Sequence, residues 1–323
     1  MGQVLIEGIE NAGPQVRGAM LTIGNFDGVH LGHQLILRTA RELADRGGLK
    51  VVAMTFQPPP DLVLRPQDPP QRISPLDVRC SLLGRAGADA VIVARSTAEL
   101  LSLEAEEFID QVIGPLAPRA MVEGHDFCFG RARRGTLETL QSAGKSRDFT
   151  VHVVEPVEID LPSGRHRVSS TLVRGLVISG LVDQAGRCLG RPFALYGRVI
   201  PGAGQGKFIE FPTANIDPGE QVCPADGVYA GWAELGRNRF PAAISVGHKP
   251  TLGPSKDKCV EAFLLGASGD YYAKPMTLAF LQMLRSQQRF DDLDTLRVQI
   301  KTDVEAVRRI VGGALGGGVE RNS

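Results

Sequence analysis

The chain has 323 residues, 43% of them hydrophobic and 22% charged, with 36 basic and 36 acidic side chains and a formal net charge of zero. That length favours two domains, each able to bury a core of its own. The balanced charge gives no basic field that would argue for nucleic acid, and no run is apolar enough to span a bilayer.

In chain order, Ala19–Ile23 reads as a short apolar strand followed by a Gly-rich turn, and helical spacing runs from Leu31 to about Arg46. Val51–Phe56 predicts a strand, Leu76–Arg85 a helix, Ala90–Val93 a strand and Glu104–Ile113 a helix. Ala120–Glu123 is a strand, Leu137–Ser142 a short helix and Val151–Val154 a further strand. Strands alternating with helices imply a mostly parallel sheet covered on both faces, with ligands at the carboxyl ends of its strands. Ser170 to about Leu189 predicts a single connecting helix.

The style then changes. From about Arg191 to Tyr272 the chain has short apolar runs, Ala194–Ile200, Val228–Glu234, Ala242–Val246 and Val260–Leu265, punctuated by Gly and Pro. That pattern predicts a small antiparallel barrel or sandwich. Leu293, Leu296, Ile300, Val304, Val307 and Ile310 fit one face of an amphipathic helix, and Gly312 onward reads as a frayed tail. The expected division is 1–185, 186–312 and a flexible tail 313–323. Cys80, Cys128, Cys188, Cys223 and Cys259 are scattered with no C-x-x-C pair, which argues against a zinc site or a disulfide framework. Acidic residues stand near the N-terminus where a secretory leader needs an apolar run. Reduced thiols in the cytoplasm are the expectation.

The strongest chemical motif is Thr22-Ile23-Gly24-Asn25-Phe26-Asp27-Gly28-Val29-His30-Leu31-Gly32-His33, after a strand and opening a helix. A helix N-terminus offers unpaired N–H groups and a positive dipole end to phosphate. Gly32 lets a polyphosphate approach the backbone, and His30 and His33 can donate to oxygens on which charge develops. The alternatives are a polar surface turn or a metal site, but no third ligand follows at helical spacing. The segment resembles the H-x-G-H signature of the nucleotidyltransferase superfamily, in the form found in bifunctional riboflavin kinase/FAD synthetases. The resemblance implies a Rossmann-like domain in which His30 and His33 bind ATP phosphates, with Gly24, Phe26, Asp27 and Gly32 around them.

Three more segments agree in order. Thr55-Phe56-Gln57-Pro58 is similar to the family's T-F-x-P segment near the flavin, which implies flavin contacts for Phe56 and Pro58. Gly124-His125-Asp126-Phe127-Cys128-Phe129-Gly130 resembles G-x-[DN]-F-x-F-G, implying Asp126 in the nucleotide site and Phe127 against flavin. Val168-Ser169-Ser170-Thr171-Leu172-Val173-Arg174 resembles I-S-S-T-x-I-R, implying phosphate contacts for Ser169, Ser170, Thr171 and Arg174; alone, S-S-T is a common helix cap. Pro59 stands where the family usually has His, with neither a donor nor a charge. Arg131, Arg133 and Arg134 crowd the loop after Gly130, either as a solvated basic turn or as a substrate contact.

A second constellation opens the barrel half. Gly202-Ala203-Gly204-Gln205-Gly206-Lys207 could wrap phosphate through backbone N–H groups, but such runs are often only turns. The following Phe211-Pro212-Thr213-Ala214-Asn215-Ile216 resembles the flavokinase signature. That implies Gly202, Gly206 and Lys207 at ATP, Thr213 and Asn215 at Mg²⁺, and Glu261 in the strand that carries the family's catalytic carboxylate. Oxygen donors suit that hard ion. Glu210 replaces a usual Gly, and Ala273 stands where Gly is usual.

Together the resemblances imply a small antiparallel flavokinase barrel with a terminal helix behind the α/β domain. They imply an enzyme that phosphorylates riboflavin with ATP and Mg²⁺, then adenylylates FMN to FAD. A chain with one working half, or an inactive flavin-binding regulator, are the alternatives. Nucleic acid and membrane are not expected as partners, and the sequence gives no oligomeric state.

Overall fold

The computed structural model describes residues 2–201, 213–248, 258–269, 271–288, 290 and 292–316. The chain forms two compact units, residues 1–70 with 75–170, and residues 71–74 with 171–323.

In the first unit, six strands of the described residues make one parallel sheet: β1 (Val4–Glu7), β2 (Met20–Ile23), β3 (Val51–Gln57), β4 (Ala90–Arg95), β5 (Ala120–Gly124) and β6 (Thr150–Val154), in the order β1-β4-β3-β2-β5-β6. The helices are α1 (Leu31–Gly47), α2 (Pro60–Leu64), α3 (Leu76–Arg85), α4 (Ala98–Ser102), α5 (Ala105–Phe108) and α6 (Leu137–Arg147). Period-two alternation divides the strand side chains between two cores. Met20, Val51, Ala53, Val91 and Val122 join Leu37 and Ala40 of α1 and Leu83 of α3. Leu21, Val52, Met54, Ile92 and Met121 join Phe108, Ile109, Ile113 and Leu140. The expected helix over Glu104–Ile113 is present in two parts: α5, capped reciprocally by Glu104 and Glu107, continues as a π-helical turn over Ile109–Ile113. β1, which no periodicity revealed, pairs with β4 at the sheet's edge.

A hairpin, β7 (Glu158–Leu161) and β8 (Gly164–Arg167), leads to the helical connection. Here the structure corrects the single expected helix. It is two, α7 (Ser170–Ile178) and α8 (Val182–Leu189), because Gly180 takes a left-handed φ of 77° between them.

In the second unit, six strands of the described residues close into an antiparallel barrel: β9 (Phe193–Ile200), β10 (Thr213–Ile216), β11 (Gly227–Leu235), β12 (Asn238–His248), β13 (Lys258–Leu264) and β14 (Pro275–Ser286), in the order β10-β13-β12-β11-β14-β9. Phe280 packs at 5.8 Å from Phe193 and edge-on at 5.4 Å from Tyr229. Gly231 admits the closest approach of strands: a Cβ there would lie 1.9 Å from the Ala279 carbonyl oxygen. α8 lays Val182, Ala185, Cys188 and Leu189 inward and packs on β9 and β14. That apolar face places α8 with the second compact unit. The last helix, α9 (Leu293–Gly316), packs Ile300, Val304, Val307 and Val311 against Ala230, Ala243 and Leu265. It continues through Gly312 and Gly313, where a tail was expected from 313, because buried Val311 ties its last turns to the barrel. Residues 317–323 lie outside the described residues. Among the described residues, no helix is long and apolar enough to cross a membrane.

Candidate functional site

In the first unit, the chain passes from β2 to β3 and β4 on one side of the sheet and later returns to β5 on the other. A crevice at the carboxyl ends of strands beside such a reversal is where open α/β sheets bind ligands. A cavity of about 890 Å³ lies there, lined by the predicted Gly24, Phe26, His30, Gly32 and His33.

The turn after β2 is built for this place. Phe26 and Val29 are non-glycine residues with φ of 49° and 41°. A left-handed β-branched Val costs on the order of 1–3 kcal/mol and persists only where the surroundings hold it. They do: the Asn25 carbonyl accepts from Thr55 Oγ1 at 3.1 Å and from Arg79 Nη1 at 2.8 Å, and Arg79 is 2% exposed. The Phe26 ring closes over Gly24 and meets His33 edge-on at 5.2 Å.

His30 caps α1, and its Nδ1 accepts the His33 backbone N–H at 3.4 Å. A neutral His30 therefore carries its proton on Nε2 and can donate there. The two imidazoles stack at 3.6 Å with planes 20° apart. A Cβ on Gly32 would come within 3.1 Å of the His30 ring. The glycine's first duty is thus to seat that ring, more directly than to admit phosphate. Burial, then the neighbouring His30 and Arg79 charges, push the His33 pKa well below its usual value. His33 is neutral near pH 7, and its Nδ1 is buried without a hydrogen-bond partner among the described residues.

Ser169 and Ser170 also line the cavity, and Ser170 Oγ donates to the Asp27 carbonyl at 2.9 Å. Asp27 itself is 9% exposed and is not among the lining residues. Thr171 and Arg174 follow on α7 in the second unit. Asp126 lines the cavity but is exposed, ion-paired with Arg167 at 2.8 Å. Of the predicted flavin contacts, Phe56 and Phe127 line the cavity; Phe127 stacks on Phe129 at 5.6 Å. Pro58, after a cis Gln57–Pro58 bond, is not among the lining residues. Pro59 caps α2, and its neighbour Pro60 reaches the cavity.

Glu123 is a cavity residue that motif reading missed. It is 1% exposed at the end of β5, and its Oε1 accepts the Ile23 N–H at 2.9 Å. Burial holds its carboxyl well above the usual range, against the smaller opposing effect of that hydrogen bond. The available signal was an acid closing the apolar run Ala120-Met121-Val122, next to the G-H-D-F segment.

In the second unit, Thr213 and Asn215 are half-buried while Ala214 and Ile216, between and beyond them, are buried. Alternation puts the two polar side chains on one face. Asn215 pairs directly with Glu261 of β13, and Thr213 hydrogen-bonds the Glu261 side chain. Burial raises the Glu261 pKa, and the Thr213 bond holds it back. Three oxygen-bearing side chains thus converge. Thr213 Oγ1, Asn215 Oδ1 and a carboxylate are the donor chemistry a hard divalent ion such as Mg²⁺ takes. Cys259 Sγ donates to Asn215 Oδ1 at 3.6 Å, a contact sequence patterns did not suggest. Ser245 faces Glu261 from β12 and accepts from Gln287 Nε2 at 3.0 Å. Ala273 takes φ 58°, a left-handed position in which Gly is the unstrained choice. The predicted phosphate loop residues Gly202, Gly206 and Lys207, and Glu210 beside them, lie outside the described residues.

Residues 13–172 match the family model described as FAD synthetase, and residues 189–311 the one described as riboflavin kinase. A Pseudomonas fluorescens protein named bifunctional riboflavin kinase/FMN adenylyltransferase is 36% identical over 307 residues, covering 95% of this chain and 97% of the relative. The protein of that name from Escherichia coli K12 is 35% identical over 312 residues, covering 95% and 98%. A solved Streptococcus pneumoniae structure, described as a macrolide-efflux protein, aligns at a TM-score of 0.84 with 30% identity over 95% of this chain and 99% of that one.

Proposed function

The chain belongs to the bifunctional riboflavin kinase/FMN adenylyltransferase family, and from that premise we propose how its residues divide the two reactions. It is an enzyme of FMN and FAD biosynthesis. Riboflavin and ATP give FMN and ADP, and FMN with a second ATP gives FAD and pyrophosphate.

The kinase step belongs to the barrel. Glu261 accepts the proton of the ribityl hydroxyl as that oxygen attacks the terminal phosphorus of ATP. Burial raises its pKa and so makes it a stronger base, while the Thr213 hydrogen bond favours its ionised form. Thr213 and Asn215 would hold Mg²⁺, which when bound would supply charge neutralisation at the transferring phosphate. The resemblance gives the ATP phosphates to Gly202, Gly206 and Lys207.

Adenylyl transfer belongs to the α/β unit. A phosphate oxygen of FMN attacks the α-phosphorus of ATP, and pyrophosphate leaves. Nε2–H of His30 and the neutral His33 donate to phosphate oxygens as charge builds, aided by the N-terminus of α1. Ser169 and Ser170 face the remaining phosphates from the cavity wall, while Phe56 and Phe127 hold the flavin ring. Both steps rest on positioning and electrostatics, with no covalent enzyme intermediate.

The observation that carries this reading is that each unit gathers its own predicted set: a stacked His pair on a cavity in one, and Thr213, Asn215 and Glu261 on one barrel face in the other. We assign adenylyl transfer to about residues 1–185 and kinase to 186–312. A cytoplasmic setting is consistent with five cysteines that form no disulfide. Incubation with riboflavin, ATP and Mg²⁺, with FMN and FAD resolved over time, tests the whole scheme. FMN without FAD would leave only the kinase, and FAD from supplied FMN alone would leave only the adenylyltransferase.

A further inference from the structure

Adenylyl transfer brings two anions together, the ATP triphosphate and the phosphate of FMN. Like charges in a partly water-excluded cavity repel strongly, so each needs its own source of positive potential. The His pair and the N-terminus of α1 serve one of them, and His33 is held neutral there. Three arginines line the cavity: Arg131, Arg133 and Arg167. Arg167 is tied to Asp126 at 2.8 Å and Arg131 to Glu104 at 3.4 Å, while Arg134, the third arginine of the loop, reaches the same Glu104 at 3.6 Å. The Arg133 guanidinium meets no hydrogen-bond or ion-pair partner among the described residues, and it lines the cavity.

Its backbone is deliberately set. Ala132 and Arg133 are consecutive non-glycine residues with φ of 52° and 60°. Such strain persists only where the surrounding structure over-determines it, and it collects at ligand clamps. The turn is pinned on all sides. Phe129 and Gly135 exchange backbone hydrogen bonds at 3.0 and 2.9 Å, and the Arg133 N–H donates to Gly130 at 3.0 Å. A Cβ on Gly130 would meet the Ala105 backbone at 3.1 Å, so the loop is seated against α5. The same loop begins with Phe127 and Phe129, which stack on one another and line the cavity together with Arg133.

We propose that Arg133 is the anchor for the phosphate of FMN in the adenylyltransferase cavity, and so a residue that favours the phosphorylated flavin over riboflavin there. The proposal rests on the reading of the first unit as the adenylyltransferase. The planar guanidinium forks two oxygens of the phosphomonoester and leaves a third to attack ATP.

Steady-state FAD formation by the full chain, with FMN and ATP varied separately, tests it. Arg133→Ala raises KM for FMN about ten-fold, the loss of one or two charge-assisted hydrogen bonds, and leaves KM for ATP within about two-fold. Arg133→Lys recovers part of the loss, and Arg131→Ala, which removes a cation already paired with Glu104, changes KM for FMN less than about two-fold. FMN formation from riboflavin is the same in all the variants. An unchanged KM for FMN in Arg133→Ala, an equal rise in KM for ATP, an equal effect of Arg131→Ala, or a fall in kcat alone would each overturn the proposal. A wild-type chain that makes FMN but no FAD removes the underlying reading of the unit, and the proposal with it. That outcome is distinct from normal FAD formation insensitive to residue 133.

Discussion

The His33 backbone N–H is donated to Nδ1 of His30, whose ring stacks on that of His33 at 3.6 Å, so one contact caps a helix and fixes a tautomer. Replacing His30 by Ala removes the Nε2–H donor along with the cap. FAD formation from supplied FMN is expected to fall about 10²–10³-fold, as for loss of one preorganised donor, with riboflavin kinase rate unchanged. Gly32→Ala gives a milder version without touching either histidine, because its Cβ presses on the His30 ring. Equal loss of both activities in a folded His30→Ala chain contradicts separate sites.

Two buried groups give the first unit opposite pH slopes. Glu123 has a folded pKa well above 4.5, so the folded state keeps a proton that the unfolded chain releases. Its stability contribution is full below the unfolded pKa and is lost as pH rises through the folded one. His33 has a folded pKa well below 6.5, so the unfolded chain takes up a proton first, and stability is lost as pH falls below 6.5 toward the folded value. Glu123→Gln keeps an acceptor for the Ile23 N–H. It is expected to stabilise the first unit by an amount that grows as pH rises above 4.5. The readout is hydrogen exchange in β2 and β5 at several pH values; a gain independent of pH rules this out.

Much of this was legible in the chain where local pattern and packing agree. The helix over Leu76–Arg85 has its expected bounds, and β3 and β4 extend their predicted runs by one and two residues. The site motifs were readable because turn chemistry is local: His30, Gly32 and His33 need only a strand end and a helix start. What escaped depends on distant partners. β1 is exposed at three of four positions and exists because β4 offers it an edge. β14 carries Arg285, Gln282 and Ser286 among apolar residues and is ordered by β9 and β11. Glu123 breaks the rule that a buried strand is apolar, and only the cavity beside it explains why.

At the kinase face, Glu261→Gln keeps the shape and removes the base. FMN formation is expected to drop about 10²–10⁴-fold while FAD formation from supplied FMN persists. The acid limb of the wild-type kinase profile is expected above the usual glutamate value, because burial outweighs the Thr213 bond. Glu261→Gln is expected to abolish that limb in the residual activity. A limb that stays in place means Glu261 does not set the profile.

The barrel's hold on α9 turns on Arg285 and Asp303, whose side chains are only 16% and 8% exposed. Arg285 donates from Nε and Nη2 to the Asp303 carboxylate, the shortest bond being 2.8 Å, and Gln299 adds a third donor at 2.9 Å. Truncating one partner leaves a buried charge unpaired, so Asp303→Ala is expected to cost about 3–5 kcal/mol. The sole tryptophan, Trp232, packs among the residues under α9, so its fluorescence follows this unit through a denaturant titration. Arg285→Met combined with Asp303→Leu removes both desolvation penalties and fills the space with apolar atoms. The double variant should therefore be more stable than either single one. A single-variant cost under about 1 kcal/mol means that water screens the pair as it does at a surface, and that the apolar row from Ile300 to Val311 holds the helix unaided.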